Sequence, residues 1–185
     1  MNIVNKKWLL DLARRTIESE VRGGKVVVGR VPVEFKKKKA CFVTLTKNGE
    51  LRGCIGHLVS VQELYRDVIE NAKGAAMADY RFEPVNSAEL PKIEIEISIL
   101  DQPKKYKYSI PEKLVKFLAK NKPGVILRKG INQATYLPQV WEELKKPEDF
   151  LGYLCQKAGL PFDEWKKMSE VEVYKVEKLV YNEFS

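Results

Sequence analysis

The chain has 185 residues, a length that suits one domain with a real core, and 44% of it is hydrophobic. Lys+Arg total 33 against Asp+Glu 25, giving a net charge of +8, which favours encounters with polyanions. Aromatic and β-branched residues occur along the whole length, which excludes a disordered chain. Three dispersed cysteines exclude a disulfide framework, and a single histidine excludes most zinc sites.

Residues 4–21 have the spacing of an amphipathic helix, with Val4, Trp8, Leu9, Leu12, Ile17 and Val21 on one face and Gly23-Gly24 as its stop. Lys36 to Lys39 form the densest charge run and are read as a solvated edge that discourages sheet-to-sheet pairing. Residues 40–46 are strand-like, Asn48-Gly49 is a type I′ hairpin signal, and Leu51 to Ile55 is the returning strand. Ser60-Val61-Gln62-Glu63 reads as a capping box opening a second helix with Val61, Leu64, Tyr65, Val68, Ile69, Ala72 and Ala76 on its apolar face.

Asn86 to Leu90 reads as a short turn, and Lys92 to Leu100 alternates as a half-buried strand. Residues 101–109 form a polar loop, and Pro111 opens a helix to about Lys120. Gly124 to Arg128 and Gln133 to Leu137 pair around Lys129-Gly130. Pro147 to Ala158 is a helix stopped by Gly159, and Val171 to Tyr181 is a final strand. Strands and helices do not alternate strictly. The expected class is therefore α+β, a largely antiparallel sheet flanked by helices, with a smaller attached α/β lobe formed by parts of 101–150 within a single domain of 1–185.

A two-residue turn at Asn48-Gly49 puts Lys47 opposite Glu50, Leu45 opposite Arg52, Val43 opposite Cys54 and Cys41 opposite Gly56. In that register Arg52 and Cys54 share one face, flanked by apolar neighbours, and a guanidinium beside a thiol favours the nucleophilic thiolate. The competing reading is that Cys54 only fills space. Gly53 and Gly56 leave backbone uncovered, so a ligand or another chain segment can approach. Asp79-Tyr80-Arg81-Phe82 follows the second helix; Arg81 is read as an anion contact, or Asp79 and Arg81 as ties for the turn. Cys54-x-x-His57 supplies two metal ligands of the four that a closed zinc site needs, so neither a metal nor another cofactor is expected. The step from strand to second helix lacks a phosphate-loop glycine pattern, which leaves only a generic helix N-terminus as an anion site.

Leu51-Arg52-Gly53-Cys54-Ile55-Gly56 resembles the six-residue signature of the AMMECR domain family. Asp79-Tyr80-Arg81-Phe82-Glu83-Pro84 resembles the family's Asp-Pro-Arg-Phe-x-Pro segment, with Tyr80 in place of proline. Ile97-Ser98-Ile99-Leu100, Tyr136-Leu137-Pro138-Gln139-Val140 and Lys157-Ala158-Gly159-Leu160 are similar to later family segments, so the match spans residues 5 to about 181. The resemblance implies an antiparallel sheet flanked by helices with a smaller lobe. It carries no established activity, and it implies a pathway shared with radical-SAM and Memo-type proteins.

Two functions follow as expectations. One is a small-molecule binding or catalytic domain around Arg52, Gly53 and Cys54, with Cys54 as nucleophile and Gly56, Asp79 and Arg81 as further ligand contacts. The other is a module for RNA or protein binding, motivated by the net charge. No apolar run approaches the ~20 residues of a membrane helix and the N-terminus lacks a signal-peptide core, so a cytoplasmic protein without membrane contact is expected. Lys and Glu richness suits a heat-adapted surface.

Overall fold

The computed structural model describes residues 1–167 and 170–181. Two compact units make up the chain: Met1–Leu100 with Glu177–Ser185, and Asp101–Val176.

In the first unit, helix α1 (Ile3–Val21) is capped by the Asn2 side chain, which accepts from the Asn5 N–H. It buries Leu9, Leu10, Leu12, Ala13, Thr16 and Ile17, while Val4 stays exposed because it lies in the first turn, beyond the packed face. The chain ends this helix with Gly23 at φ 73°, a left-handed stop that glycine adopts at little cost. Strand β1 (Ala40–Lys47) turns through Asn48 (φ 55°) and Gly49 (φ 82°) into β2 (Glu50–Gly56), as the Asn-Gly pair predicts. Helix α2 (Leu64–Met77) follows, and β3 (Ile93–Leu100) completes the run of long elements.

The sheet order is β2-β1-β3-β8, where β8 is Val176–Val180. One face of this sheet carries Cys41, Val43, Leu45 and the four isoleucines of β3, packed against α1 and α2 in one core. The other carries Phe42, Thr44 and Thr46 along β1. Because β1 lies between β2 and β3, the lysines at 36–39 guard no sheet edge. They follow a short 3-10 turn, Val33–Lys36, and Lys38 bridges to Glu63.

The second helix starts at Leu64, later than the Ser60 capping pattern predicts. Residues 57–63 are drawn aside by bonds to β1 and to the 36–39 segment: the His57 N–H donates to Cys41 O, and the Leu64 N–H donates to Lys37 O. Glu63 takes the N-cap position without a side-chain cap, and Val61 is exposed. The Leu64 N–H, one of the first donors of this helix, is thus committed to Lys37 O.

The second unit holds the sheet β4-β7-β5-β6, built from β4 (Lys104–Lys105), β5 (Gly124–Lys129), β6 (Asn132–Tyr136) and β7 (Glu170–Tyr174). Helices α3 (Pro111–Asn121) and α4 (Pro147–Lys157) bury Leu114, Leu118, Phe150, Leu151 and Leu154 in its core, with the Trp141 and Phe150 rings stacked at 3.8 Å between centroids. Two expectations change here. The loop at 101–109 contains β4, paired with β7. The final strand is two strands, β7 and β8, in different sheets, with Lys175 at the break accepting from the Asp101 N–H.

Candidate functional site

Strand β2 does not keep the register that a simple hairpin predicts. Lys47 pairs with Glu50 and Thr46 with Leu51, but Leu45 then pairs with Gly53, Thr44 with Cys54 and Phe42 with Gly56. Arg52 is the extra residue of a β-bulge, which re-aims side chains at the point where it occurs. From Gly53 onward every residue is therefore one place away from its expected partner.

This shift changes the surroundings of the thiol. Cys54 lies opposite Thr44, a polar residue, and its Sγ is 3.3 Å from Thr44 Oγ1. The side chain is half-buried, whereas Cys41 and Cys155 are buried. Arg52 does not stand over the thiol: its Nε and Nη2 donate to Glu89 Oε1 and Oε2, both at 3.0 Å, and its guanidinium lies 5.9 Å from the Phe82 ring centre. Lys47 adds a third contact to the same carboxylate at 2.7 Å. Hydrogen bonds from Arg52, then Lys47, hold the Glu89 carboxyl down to about 2.

The two glycines of the signature have packing reasons. A Cβ on Gly53 would fall on the carbonyl oxygen of Ala75, so helix α2 is the segment that approaches this uncovered backbone. A Cβ on Gly56 would strike the Phe42 ring and lie 2.6 Å from Cys41 O.

Asp79 and Arg81 join Cys54 from the end of α2. Asp79, 4% exposed, accepts from the Cys54 N–H at 2.8 Å and from Arg81 Nε at 2.9 Å and Nη2 at 2.6 Å. Arg81 Nη2 also reaches Cys54 O at 3.4 Å, and its guanidinium lies 5.4 Å from the Phe82 ring centre. The Arg81 bonds, followed by backbone donors, hold the Asp79 carboxyl well below the usual carboxylate range against the opposing effect of burial. Asp79 thus ties both the turn and the backbone of Cys54, and Arg81 keeps an exposed outer edge beside Tyr80, which is 95% exposed.

Next to this cluster, a cleft of about 300 Å³ is lined by Thr44, Thr46, Glu94 and Glu96 together with Arg14 and Tyr181. Thr44 is the common element, because its hydroxyl touches the Cys54 thiol and the residue is one of those lining the cleft. Among the described residues no group of three or more His, Cys, Asp or Glu side chains is placed to hold a metal ion.

A second polar cluster went unread in the sequence. Asp67, 1% exposed, accepts at Oδ2 from the Cys41 N–H (2.9 Å) and Asn71 Nδ2 (3.1 Å), and at Oδ1 from Gln62 Nε2 (3.1 Å). His57 Nδ1 lies 2.7 Å from Asp67 Oδ1, on the α2 side of the sheet, so His57 and Cys54 do not form a pair. Burial, reinforced by Asp67, pushes the Cys41 thiol well above its ordinary range. The sequence signal was present, because Asp67 and Asn71 interrupt the helical stripe of Leu64, Val68, Ala72 and Ala75 at i, i+4 spacing.

The fold and the site together define an α+β protein whose first sheet presents one half-exposed thiol from a bulged edge strand. The AMMECR1 family model matches residues 10–179, and the chain belongs to that family. A protein of Methanosarcina acetivorans is 41% identical over 168 residues, covering 88% of this chain and 84% of its own. A protein of Methanopyrus kandleri is 36% identical over 186 residues, covering 96% and 87%. The crystal structure of an uncharacterized Pyrococcus horikoshii protein is similar at a TM-score of 0.81 and 33% identity, over 93% of this chain and 90% of that one. No helix among the described residues is long and apolar enough to cross a membrane.

Proposed function

We propose that the protein binds a small molecule at the Cys54 end of the first sheet, with the thiol as the group that reacts with or grips the ligand and Arg81 as its cationic contact. The observation that carries this reading is the contrast in exposure: Cys54 is the half-exposed thiol, it is beside the hydroxyl of Thr44, and Thr44 is one of the residues that line a cleft. Gly53 admits α2, Gly56 admits Phe42, and Asp79 fixes the Cys54 backbone, so all three act by positioning. Arg52 acts likewise through Glu89.

The cationic contact has a physical basis. Asp79 takes Nε and Nη2 of Arg81, which leaves the remaining edge of the guanidinium outward, where a carboxylate or phosphate group of a ligand fits its donors. A cytoplasmic site, in a pathway with radical-SAM and Memo-type proteins, is the setting that the family resemblance supports.

The test is ligand retention. The protein is incubated with the low-molecular-weight fraction of an archaeal lysate, washed, and analysed by native mass spectrometry. A compound retained by the wild type and lost from Cys54→Ser at unchanged melting temperature, and from Arg81→Ala measured below its own lowered melting temperature, supports the reading. Equal retention by all three proteins contradicts it. The net charge of +8 keeps RNA as a second reading, and that reading requires affinity that falls steeply with added salt.

A further inference from the structure

The cluster around His57 is separate from the Cys54 site and independent of the function proposed there. The Asp67 carboxylate accepts from the Cys41 N–H, Asn71 Nδ2 and Gln62 Nε2, and a carboxylate offers only acceptors, so the contact at Oδ1 is made by a His57 Nδ1–H that donates. This fixes the tautomer and the ring orientation. The His57 backbone is held as well, by its N–H to Cys41 O at 3.0 Å. The ring is 35% exposed, and Nε2 has no partner among the described residues.

A fixed imidazole with a protonated Nδ1 on a buried carboxylate and an open Nε2 lone pair is arranged as a nucleophile or base. The charged groups beside it are of both signs: Glu63 is paired with Arg66 and Glu70 accepts from Gln62, while three lysines stand on the neighbouring segment. The segment bearing Lys36, Lys37 and Lys38 runs alongside residues 57–64, joined to them by the Lys38–Glu63 bridge and the Leu64 N–H to Lys37 O bond. All three lysines are exposed, and none has an ion pair among the described residues.

We propose that His57 is a nucleophilic site for an anionic phosphoryl donor, with Asp67 as its positioning residue and Lys36, Lys37 and Lys38 as the cations that draw the donor in. Nε2 attacks phosphorus, and the Nε2–P bond forms as the bond from phosphorus to the leaving group breaks. The leaving group departs with the bonding pair and takes a proton from solvent. Nδ1–H stays on Asp67, whose negative charge offsets that of the now cationic ring.

The chain has one histidine, so any histidine-directed readout reports His57 alone. The probe is phosphoramidate, whose P–N bond breaks with release of ammonia. Native protein should be phosphorylated at Nε2, seen by phosphorus NMR, at least ~10-fold faster than the same chain unfolded in urea. Asp67→Asn should slow the native reaction by ~10-fold or more and change its pH profile. Replacing Lys36, Lys37 and Lys38 by Gln should slow reaction with phosphoramidate but leave reaction with the neutral reagent diethyl pyrocarbonate unchanged, a comparison that stands even where Asp67→Asn fails to fold. A native rate no greater than that of the unfolded chain, modification at Nδ1, or equal loss with both reagents in the lysine variant would overturn the proposal.

Discussion

Cys41 and Cys54 lie on neighbouring strands of one sheet, yet their surroundings are opposite. Cys41 points into the core shared by α1 and α2, is buried, and has its thiol pushed up by burial and by Asp67. Cys54 is half-exposed beside Thr44, on the face that carries Phe42 and Thr46. The difference comes from the β-bulge at Arg52: without it Cys54 would pair with Val43 and turn into the core. One inserted residue therefore separates a structural thiol from an accessible one.

The most damaging way to break this contrast is to push α2 off the strand. Gly53→Ala places a methyl on the Ala75 carbonyl and should destabilise the protein by about 3 kcal/mol in chemical denaturation. Next is Asp67→Ala, which strips the Cys41 N–H of its buried acceptor, leaves Asn71 Nδ2 with Cys41 O alone among its oxygen acceptors, and should cost about 2–3 kcal/mol. Arg52→Ala leaves Glu89 with Lys47 and Asn86 and should cost about 2 kcal/mol.

The same Glu89 contact predicts a pH dependence. Its folded carboxyl sits at about 2 against an ordinary value of 4.5, so its contribution is present above pH 4.5 and is lost as pH falls toward about 2. Asp79 acts in the same direction. Arg52→Ala should shrink the acid-induced loss of stability across that window, as read from melting temperature against pH. The smallest effect on stability is expected for Cys54→Ser, within about 0.5 kcal/mol, because the site is half-exposed and the hydroxyl can keep the Thr44 contact.

Much of the fold was legible because it is written in local patterns. The alternating isoleucines of β3, the Asn48-Gly49 turn and the proline-opened helices α3 and α4 stand where periodicity and turn chemistry put them. The bulge was not legible, since no residue of Glu50 to Gly56 demands it; it is set by packing Gly53 on Ala75 and pairing Arg52 with Glu89, 37 residues away. The split of the last strand at Lys175 is also set by tertiary pairing, each half joining a different sheet. The His57–Asp67 pair does not show in the apolar spacing of α2, because it forms only when the end of β2 folds over Asp67, although a buried acid on a helix face calls for donors.

The most direct test of the central claim is differential alkylation of the folded protein with iodoacetamide, with each cysteine followed by peptide mass mapping. Cys54 should react in the native state, with Cys41 and Cys155 labelled only after unfolding. Native labelling of Cys41 as fast as Cys54, or a Cys54 that stays unlabelled until the chain unfolds, would contradict it.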